Sequence, residues 1–308
     1  MAREFGRAAN LCSAALKLTR PMRYPRGVLR RSLTAALLAL LIVGIPPRAS
    51  CADRIVSLVP SVTETLFALG VGDRVVGVSS YDDYPPAVLK LPKVGSFLTP
   101  NLEAIAALRP TLVIGRDISS NQRELRAMRA LGYEVVTVED DSLAQIEQSI
   151  RTIGARVGKS HEAEAAIARI EANVKDVSTR VAAFPKARTL MLVGHQPIVA
   201  VGRGTFLDDL LKIARADNIA DASSQQWPQL SMEFIVAMRP EVIIDGQMGS
   251  DAATPSQFWN SYATIPAVKN HRVNGYPEDP TLHPGPRVGA TLEILAKLVH
   301  PEAWTTAR

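Results

Sequence analysis

One segment of the chain occurs twice, 130 residues apart, and this repetition constrains the fold more than any other feature. The first copy is NLEAIAALRPTLVI (101–114) and the second is SMEFIVAMRPEVII (231–244), with six of fourteen positions identical. Each copy begins with a helix-capping residue, continues with apolar residues at helical spacing, and ends in Arg-Pro and an apolar run. Proline stops the helix, and the apolar run suits a strand covered on both faces. The repetition therefore predicts two similar α/β lobes.

The first 52 residues have the composition of an export signal. A basic segment precedes the apolar run Leu33–Ile45, whose 13 residues fall short of the about 20 that a membrane-spanning helix needs. Small residues before Ala52 predict cleavage after that residue, so the signal peptide is 1–52. A retained membrane anchor is the alternative. Lipid attachment at Cys51 is another, although Arg48 stands where a lipoprotein signal normally has an aliphatic residue.

Two further questions about the leader remain open from the sequence. Met22 could be the true start, because a typical signal begins about there. Arg30-Arg31 is compatible with the twin-arginine export route but lacks the rest of that motif. In either case we expect a periplasmic protein.

Removing the leader changes the charge of the protein. Residues 1–52 carry nine Lys/Arg and one acidic residue, so the formal charge of +5 for the whole chain becomes −3 for the remaining 256 residues. A mildly acidic chain of this kind gives no reason to expect nucleic acid as a partner. Both cysteines, Cys12 and Cys51, lie in or beside the leader, so we expect no disulfide in the mature chain.

Strands alternating with helices predict the fold class, an α/β protein with two Rossmann-like lobes. We expect mostly parallel sheets in an N-terminal lobe, 53–141, and a C-terminal lobe, 186–308, joined by a linking helical segment, 142–185, with one long helix. Length and apolar content allow two cores of ordinary domain size. Ser61 is expected to cap the first helix, with Glu64 three residues on. A helix is also expected near Pro255–Thr264.

Enzyme motifs are mostly missing from the sequence. There is no phosphate-binding loop, dinucleotide-binding loop or nucleophile elbow. Glu103 and Glu233 could be imagined as a catalytic carboxylate pair. Each also lies in the first turn of its predicted helix, where the helix dipole favours a negative charge. We therefore expect a protein that is not an enzyme.

The five histidines have no metal-ligand spacing. His161 and His300 are expected to face solvent. His195 and His283 follow strands or lie in loops, where α/β proteins form sites, so each could have a structural role or contact a ligand.

Aromatic side chains in predicted loops suggest a binding cleft. Tyr81 and Tyr84 follow the second strand, and Phe97 and Trp227 each stand six residues before the glutamate of a repeat. If the repeats are structurally equivalent, these last two rings face each other across one cleft. Flat rings on both walls suit a large, flat, partly apolar ligand.

Several segments together resemble a known family. RIVSLVPSVTE (54–64), VGVSSYDDYPP (76–86), the first repeat and WPQLS (227–231) are similar to the periplasmic cobalamin-binding proteins of vitamin B12 ABC importers. These proteins belong to the helical-backbone class of solute-binding proteins, which also bind haem and iron-siderophores. The resemblance covers nearly the whole mature chain.

The resemblance implies roles for particular residues. Glu103 and Glu233, one per lobe, would form salt bridges with arginines of the membrane permease dimer. Tyr81, Phe97 and Trp227 would line the ligand cleft, with the backbone around Ser61 contributing.

Other implied ligand contacts depart from the family pattern. Phe97 stands where the cobalamin binder has tryptophan, and Val193 stands where it has phenylalanine. Asp279 and His283 fall near polar ligand contacts, and His283 would replace an arginine. The replacements at Phe97 and Val193 leave a smaller aromatic surface in the cleft than the family pattern has.

The resemblance implies a monomer with no cofactor, in which cobalamin or another large flat metal chelate is the transported ligand and the ABC permease is the partner. Three alternatives stay open. A haem or siderophore carrier would normally need an axial ligand such as Tyr81, His195 or His283. An exported α/β enzyme and a sensor or docking module without transport are the others.

Overall fold

The computed structural model describes residues 54–246 and 257–305. These described residues belong to one compact unit. The predicted leader 1–52, with Cys51, lies outside the described residues, as does the start of the helix expected near Pro255. None of the helices within the described ranges is both long enough and apolar enough to cross a membrane.

The strands are short and fall into two groups along the chain. They are β1 (Ile55–Ser57), β2 (Val75–Gly77), β3 (Leu112–Arg116), β4 (Glu134–Val138), β5 (Ala187–His195), β6 (Ile198–Ala200), β7 (Ala216–Asn218), β8 (Val242–Asp245) and β9 (Val273–Gly275).

Helices connect the strands and link the two groups. They are α1 (Pro60–Ala68), α2 (Leu102–Ala107), α3 (Gln122–Ala130), α4 (Leu143–Val157), α5 (Ser160–Val181), α6 (Phe206–Ile213), α7 (Met232–Met238), α8 (Pro266–Lys269), α9 (Val288–Val299) and α10 (Glu302–Thr305). Four 3-10 helices (Gly72–Arg74, Pro86–Lys90, Ile219–Ala222, Gln257–Ser261) and a kinked turn at Glu278–Thr281 complete the described elements.

Each group of strands forms its own sheet. The first sheet is wholly parallel, in the order β2-β1-β3-β4. In the second, the order is β6-β5-β8-β9, with β7 beside the start of β5 and with β5–β6 as the antiparallel pair. The chain is therefore a two-lobed α/β protein with mostly parallel sheets, which confirms the expected fold class.

The two copies of the repeat fold in the same way. Asn101 accepts a hydrogen bond from the backbone N–H three residues on (3.0 Å), and Ser231 does the same (3.2 Å), so both predicted helix caps are confirmed. Each helix then leads through Arg-Pro into a buried central strand, β3 or β8.

The way in which both repeat helices end could not be read from the sequence. Arg109 and Arg239 adopt left-handed backbone conformations, with φ of 45° and 51°. A residue before proline is disfavoured in the right-handed helical region, so the chain leaves the helix at the arginine itself. Such a conformation is uncommon for a residue with a side chain, and its occurrence at both equivalent positions shows that it belongs to the repeated unit.

Ser61 does not cap the first helix. Helix α1 begins at Pro60 with no side-chain cap, and the Ser61 hydroxyl donates instead to Asp140 (3.1 Å). Glu64 likewise makes tertiary ion pairs rather than a capping box. The predicted cap was wrong because buried tertiary partners compete successfully for both side chains.

The structure corrects one further expectation about local structure and adds two details that were not predicted from the sequence. The described part of the helix expected near Pro255–Thr264 is a 3-10 helix, Gln257–Ser261. Strands β6, β7 and β9, each of which has three residues, were not predicted from the sequence. The linking segment contains two helices, α4 and α5, which separate at Gly158 with φ of 74°.

The hydrophobic core differs from the two separate cores that length alone allowed. One large cluster continues from the first sheet through the linking helices to the inner face of the second sheet. A smaller cluster covers the other face of the second sheet and centres on the fully buried Trp259. The lobes thus share apolar packing.

Candidate ligand-binding site

A cleft of about 1180 Å³ is lined by residues from both halves of the chain. Its lining falls into three parts, which we call the first wall (lining residues within 59–141), the second wall (within 193–227) and the bridging loop (276–284). Ordinary small-molecule pockets have volumes of roughly 300–1000 Å³. The cleft can therefore hold a ligand larger than most metabolites.

All seven residues predicted to contact a ligand line this one cleft. They are Ser61, Tyr81, Phe97, Val193, Trp227, Asp279 and His283. The structure thus brings together side chains that are up to 222 positions apart in the sequence.

Two aromatic rings stand on the first wall. Tyr81 and Phe97 have ring centroids 6.0 Å apart with an interplanar angle of 57°. The loop that carries Phe97 is held by hydrogen bonds from the Ser80 N–H to the Gly95 carbonyl (2.8 Å) and from the Asn121 side chain to the Phe97 carbonyl (2.8 Å). Tyr81 is 56% exposed, so its ring offers a surface on which a ligand can stack.

Trp227 stands on the second wall and is 43% exposed. Its segment is fixed by backbone hydrogen bonds on both sides, from Gly202 to Gln226 (2.8 Å) and from Ala200 to Pro228 (3.0 Å). A Cβ atom at Gly202 would lie 2.3 Å from the Gln225 carbonyl. Glycine is therefore needed at this close approach, which holds the tryptophan segment in place.

The remainder of the second wall is uncharged. Beside Trp227 it consists of Val193, Thr205, Phe206, Leu207 and Gln226, and among its described residues there is no charged side chain.

The first wall carries an arginine between two aspartates at the carboxyl ends of β3 and β4. Arg116 Nη1 lies 3.0 Å from Asp140 Oδ1, and its Nη2 contacts Asp141. Burial raises the pKa of the Asp140 carboxyl. Burial also opposes the charge on Arg116, but the attraction of Asp140 and Asp141 outweighs it and raises the pKa of the guanidinium. This arginine is therefore already neutralised by protein carboxylates.

A further acidic pair on the first wall comes from the loop after β2. Asp82 is buried and Asp83 is exposed. The Ser79 hydroxyl donates to Asp82 Oδ2 (2.5 Å), and Lys93 donates to the Asp82 carbonyl (2.5 Å). Burial raises the pKa of the Asp82 carboxyl.

The bridging loop is tied to helix α1 of the first lobe by an ionic cluster. Arg287 donates from Nε to Glu64 Oε2 (2.7 Å) and from Nη2 to Glu64 Oε1 (2.6 Å), and it also binds Asp279. The guanidinium lies over the Tyr84 ring, 3.9 Å from its centroid. Both carboxylates are thus held by one arginine, which is the second arginine at this site to be neutralised.

His283 belongs to the same cluster. Its Nδ1 lies 2.9 Å from Glu64 Oε1 and 3.4 Å from Asp279 Oδ1. Burial opposes protonation of the ring, but Glu64 outweighs this and raises the pKa of His283. Glu64, Asp279 and His283 offer atoms within 4.8 Å of one another, which is compatible with a cation. Arg287 already supplies the positive charge there.

His195, the other histidine expected at a strand end, has a different environment. It does end β5, but its Nε2 pairs with Asp245 Oδ1 (2.5 Å) and its ring stacks on Phe258 with centroids 5.1 Å apart. It is absent from the described lining of the cleft. Of the three axial ligands considered, Tyr81 and His283 lie at the cleft.

Glu103 and Glu233 lie outside the cleft lining, in the first turns of α2 and α7. Both are exposed, and the five residues from Asn101 and from Ser231 have the same burial pattern. Hydrogen bonds from its own backbone N–H and from Ser231 lower the pKa of Glu233. The pair is available on the surface at equivalent places of the two lobes.

Sequence reasoning missed most of the charged lining. Arg116, Asp140 and Asp141 follow directly at the ends of parallel strands, which is the signal that could have revealed them. Arg287 and Glu64 are 223 positions apart, and no local pattern connects them.

Comparison with known proteins identifies the family. Residues 55–280 match the family model described as periplasmic binding protein. The chain is 32% identical over 260 residues to an ABC transporter substrate-binding lipoprotein, YvrC, of Bacillus subtilis (strain 168), covering 82% of this chain and 81% of that protein. It is 30% identical over 244 residues to the vitamin B12-binding protein of Yersinia pestis (strain Pestoides F), covering 79% and 86%.

Solved structures of periplasmic solute-binding proteins have the same fold as this chain. The periplasmic heme-binding protein RhuT of Roseiflexus sp. RS-1 superposes with a TM-score of 0.74 at 30% identity, covering 82% of this chain and 99% of that one. The periplasmic vitamin B12-binding protein BtuF of Vibrio cholerae gives 0.71 at 27%, covering 83% and 99%.

The chain belongs to the periplasmic binding protein family. It is an extracytoplasmic solute-binding protein of an ABC importer, and the family is not one of enzymes.

Proposed function

We propose that the chain captures a corrinoid of the vitamin B12 type in its cleft and delivers it to an ABC importer. The seven cleft residues predicted from the sequence would contact the ligand. The volume of about 1180 Å³ and the aromatic rings on both walls support a large ligand with flat faces.

The charge of the cleft is the observation that favours a corrinoid over other large ligands. The described lining includes five aspartates (82, 83, 140, 141 and 279) against one arginine and one histidine. That arginine, Arg116, is bound to two carboxylates, and so is Arg287 behind the lining. Among the described residues of the cleft, a buried ligand carboxylate would find only cations that are already paired with protein carboxylates, and it would face repulsion from the aspartates.

Corrinoids and haem differ in the groups around their rings. A corrinoid of the B12 type is surrounded by carboxamides, whose N–H groups can donate to aspartates. Haem carries two propionates, which would require cationic partners. An acidic cleft therefore favours amide-bearing corrinoids over haem, both through the bonds it offers and through the repulsion it imposes.

The second candidate is a haem or ferric-siderophore carrier. One observation favours it: the exposed Tyr81 on the first wall could supply an axial oxygen to iron. Sequence identity does not separate the candidates, because a vitamin B12-binding relative and a heme-binding relative are each 30% identical to this chain.

Titration of the purified mature protein tests the choice of ligand. We expect cyanocobalamin to quench tryptophan fluorescence at micromolar or lower concentration, with the quenching largely lost in Trp227→Ala. Trp304→Phe is the matched control, because Trp304 packs against Arg180 and Lys297 away from the cleft lining. Saturable binding of haemin or a ferric siderophore without a response to cyanocobalamin would replace the proposal with the second candidate.

The remaining features of the carrier are part of the same proposal. Glu103 and Glu233 would dock onto the two-fold permease dimer, since two matching carboxylates can engage two equivalent sites at once and fix orientation. A signal peptide over 1–52 would be removed during export, with lipid attachment at Cys51 as the alternative. The division into lobes 53–141 and 186–308 around the linking segment 142–185, and the monomeric state, belong here as well.

A further inference from the structure

The orientation of His283 on the bridging loop has a chemical consequence. Its Nδ1 lies 2.9 Å from Glu64 Oε1, so the ring nitrogen facing the protein donates to the carboxylate. The side chain retains 17% exposure and lines the cleft. Among the residues that the structure describes, no hydrogen-bond partner is found for Nε2. The nitrogen without a partner is thus the one that remains for a ligand.

The carboxylate that holds this ring is itself fixed. The Glu64 side chain is only 2% exposed, and Arg287 donates a hydrogen bond to each of its carboxylate oxygens. Metal-ligating histidines usually donate one ring N–H to a fixed carboxylate and bind the metal through the other nitrogen, and His283 has this arrangement. The carboxylate selects the tautomer and increases the basicity of the free nitrogen.

His283 is the histidine that presents this arrangement to the cleft. His300 also pairs its Nδ1 with a carboxylate, Glu302 (3.0 Å), but it does not belong to the described cleft lining. His195 uses its Nε2 for Asp245 and is covered by Phe258. His161 and His271 are exposed, and His300 is buried beside Phe184. None of these four belongs to the described cleft lining.

We infer that His283 Nε2 is an axial ligand for the metal of the transported chelate, with Glu64 as its positioning residue. This inference rests on the proposed function, since it requires a metal chelate in the cleft. The Nε2 lone pair forms a bond to Co(III), the axial water of the corrinoid leaves, and the Nε2 proton, where the ring is protonated, passes to solvent. The oxidation state of the metal does not change.

Two forms of the vitamin separate axial coordination from binding. Aquocobalamin carries an exchangeable axial water, whereas cyanocobalamin carries a tightly held cyanide. We expect the visible absorption bands of aquocobalamin to shift on binding to the mature protein, and those of cyanocobalamin to keep their positions. The affinity of the wild type should be higher for the aquo form.

Variants assign the shift to a residue. His283→Gln retains an N–H for Glu64 and offers no imidazole, so it should abolish the band shift and weaken aquocobalamin binding by about 10-fold or more, with a smaller loss for cyanocobalamin. Glu64→Gln should reduce the shift without abolishing it. His161 is exposed on α5, so the His161→Ala variant should show the wild-type band shift and affinity. Thermal melting of each variant checks the fold.

The outcomes distinguish this inference from the function on which it rests. If both cobalamins bind and neither spectrum shifts, or if the folded His283→Gln protein keeps the shift, axial coordination is refuted and the carrier function stands. If neither cobalamin binds, the proposed function fails and the assignment of His283 to cobalt fails with it.

Discussion

The two walls of the cleft belong to lobes that share the same repeated unit, yet the walls differ in chemistry. The first wall has four aspartates and one arginine, whereas the described second wall has no charged side chain and presents Trp227 among apolar and amide groups. Outside the cleft the two lobes are alike, with Glu103 and Glu233 exposed at equivalent positions. Both walls carry aromatic rings, but the charged side chains that distinguish the two lobes face the ligand, whereas the matching glutamates lie outside the cleft.

This contrast indicates two separate demands on one duplicated fold. A partner with two-fold symmetry requires the same group on each lobe. A ligand with a flat apolar body and a polar edge requires different groups on the two walls. The bridging loop, tied to Glu64 through Arg287 and His283, adds a third surface where the lobes meet.

The largest effect, on vitamin uptake, is expected from changing the two matching surface glutamates of the lobes. Reversing Glu103 and Glu233 together to arginine should abolish vitamin uptake by cells, because both contacts with the permease would become repulsive, while cyanocobalamin binding by the purified protein stays within about 2-fold of wild type. Uptake of radiolabelled vitamin by a strain that lacks its own binding protein measures this.

A matched pair of reversals controls for charge alone. Asp73→Arg with Glu171→Arg changes two exposed acidic residues, one in the first lobe and one on α5, by the same total charge. Transport should persist in that variant. Normal uptake by the Glu103/Glu233 variant would contradict the docking role.

An intermediate effect is expected where the lobes meet. Glu64→Ala leaves Arg287 with Asp279 alone and removes the acceptor of His283, in surroundings where Glu64 is almost fully buried. Loss of one partner of a buried ion pair should lower the free energy of unfolding by roughly 3 kcal/mol. Urea denaturation followed by circular dichroism measures the change.

The exposed ion pair between Arg151 and Glu164 provides the comparison. Glu164→Ala should cost about 0–1 kcal/mol, since exposed pairs contribute little. Equal losses for the two variants would mean that the cluster around Glu64 is not a structural junction.

The sequence predicted the duplicated parts of this molecule well, because each depends on neighbours in the chain. The caps at Asn101 and Ser231 follow from local patterns, and the structure agrees. The long helix expected in the linking segment is likewise present as α5. Ser61 failed as a cap because Asp140, 79 positions away, takes its hydroxyl. Local rules do not include such a competitor.

The candidate site was predictable only in part. The resemblance and the strand-end rule brought the seven cleft residues together, and their contacts with a ligand stay predictions. The pairing of Arg116 with Asp140 and Asp141, and of Arg287 with Glu64, depends on how distant segments pack. The neutralised arginines, on which the choice of ligand depends, therefore emerged only from the three-dimensional arrangement.

The measurement that tests the central claim most directly is calorimetric titration with cyanocobalamin and with its monocarboxylate, in which one peripheral amide has been hydrolysed. An acidic cleft whose described cations are all paired with carboxylates should bind the carboxylate at least about 10-fold more weakly, or about 1.4 kcal/mol in binding free energy. Equal or tighter binding of the carboxylate would contradict the claim that the aspartates of the cleft select amide-bearing corrinoids.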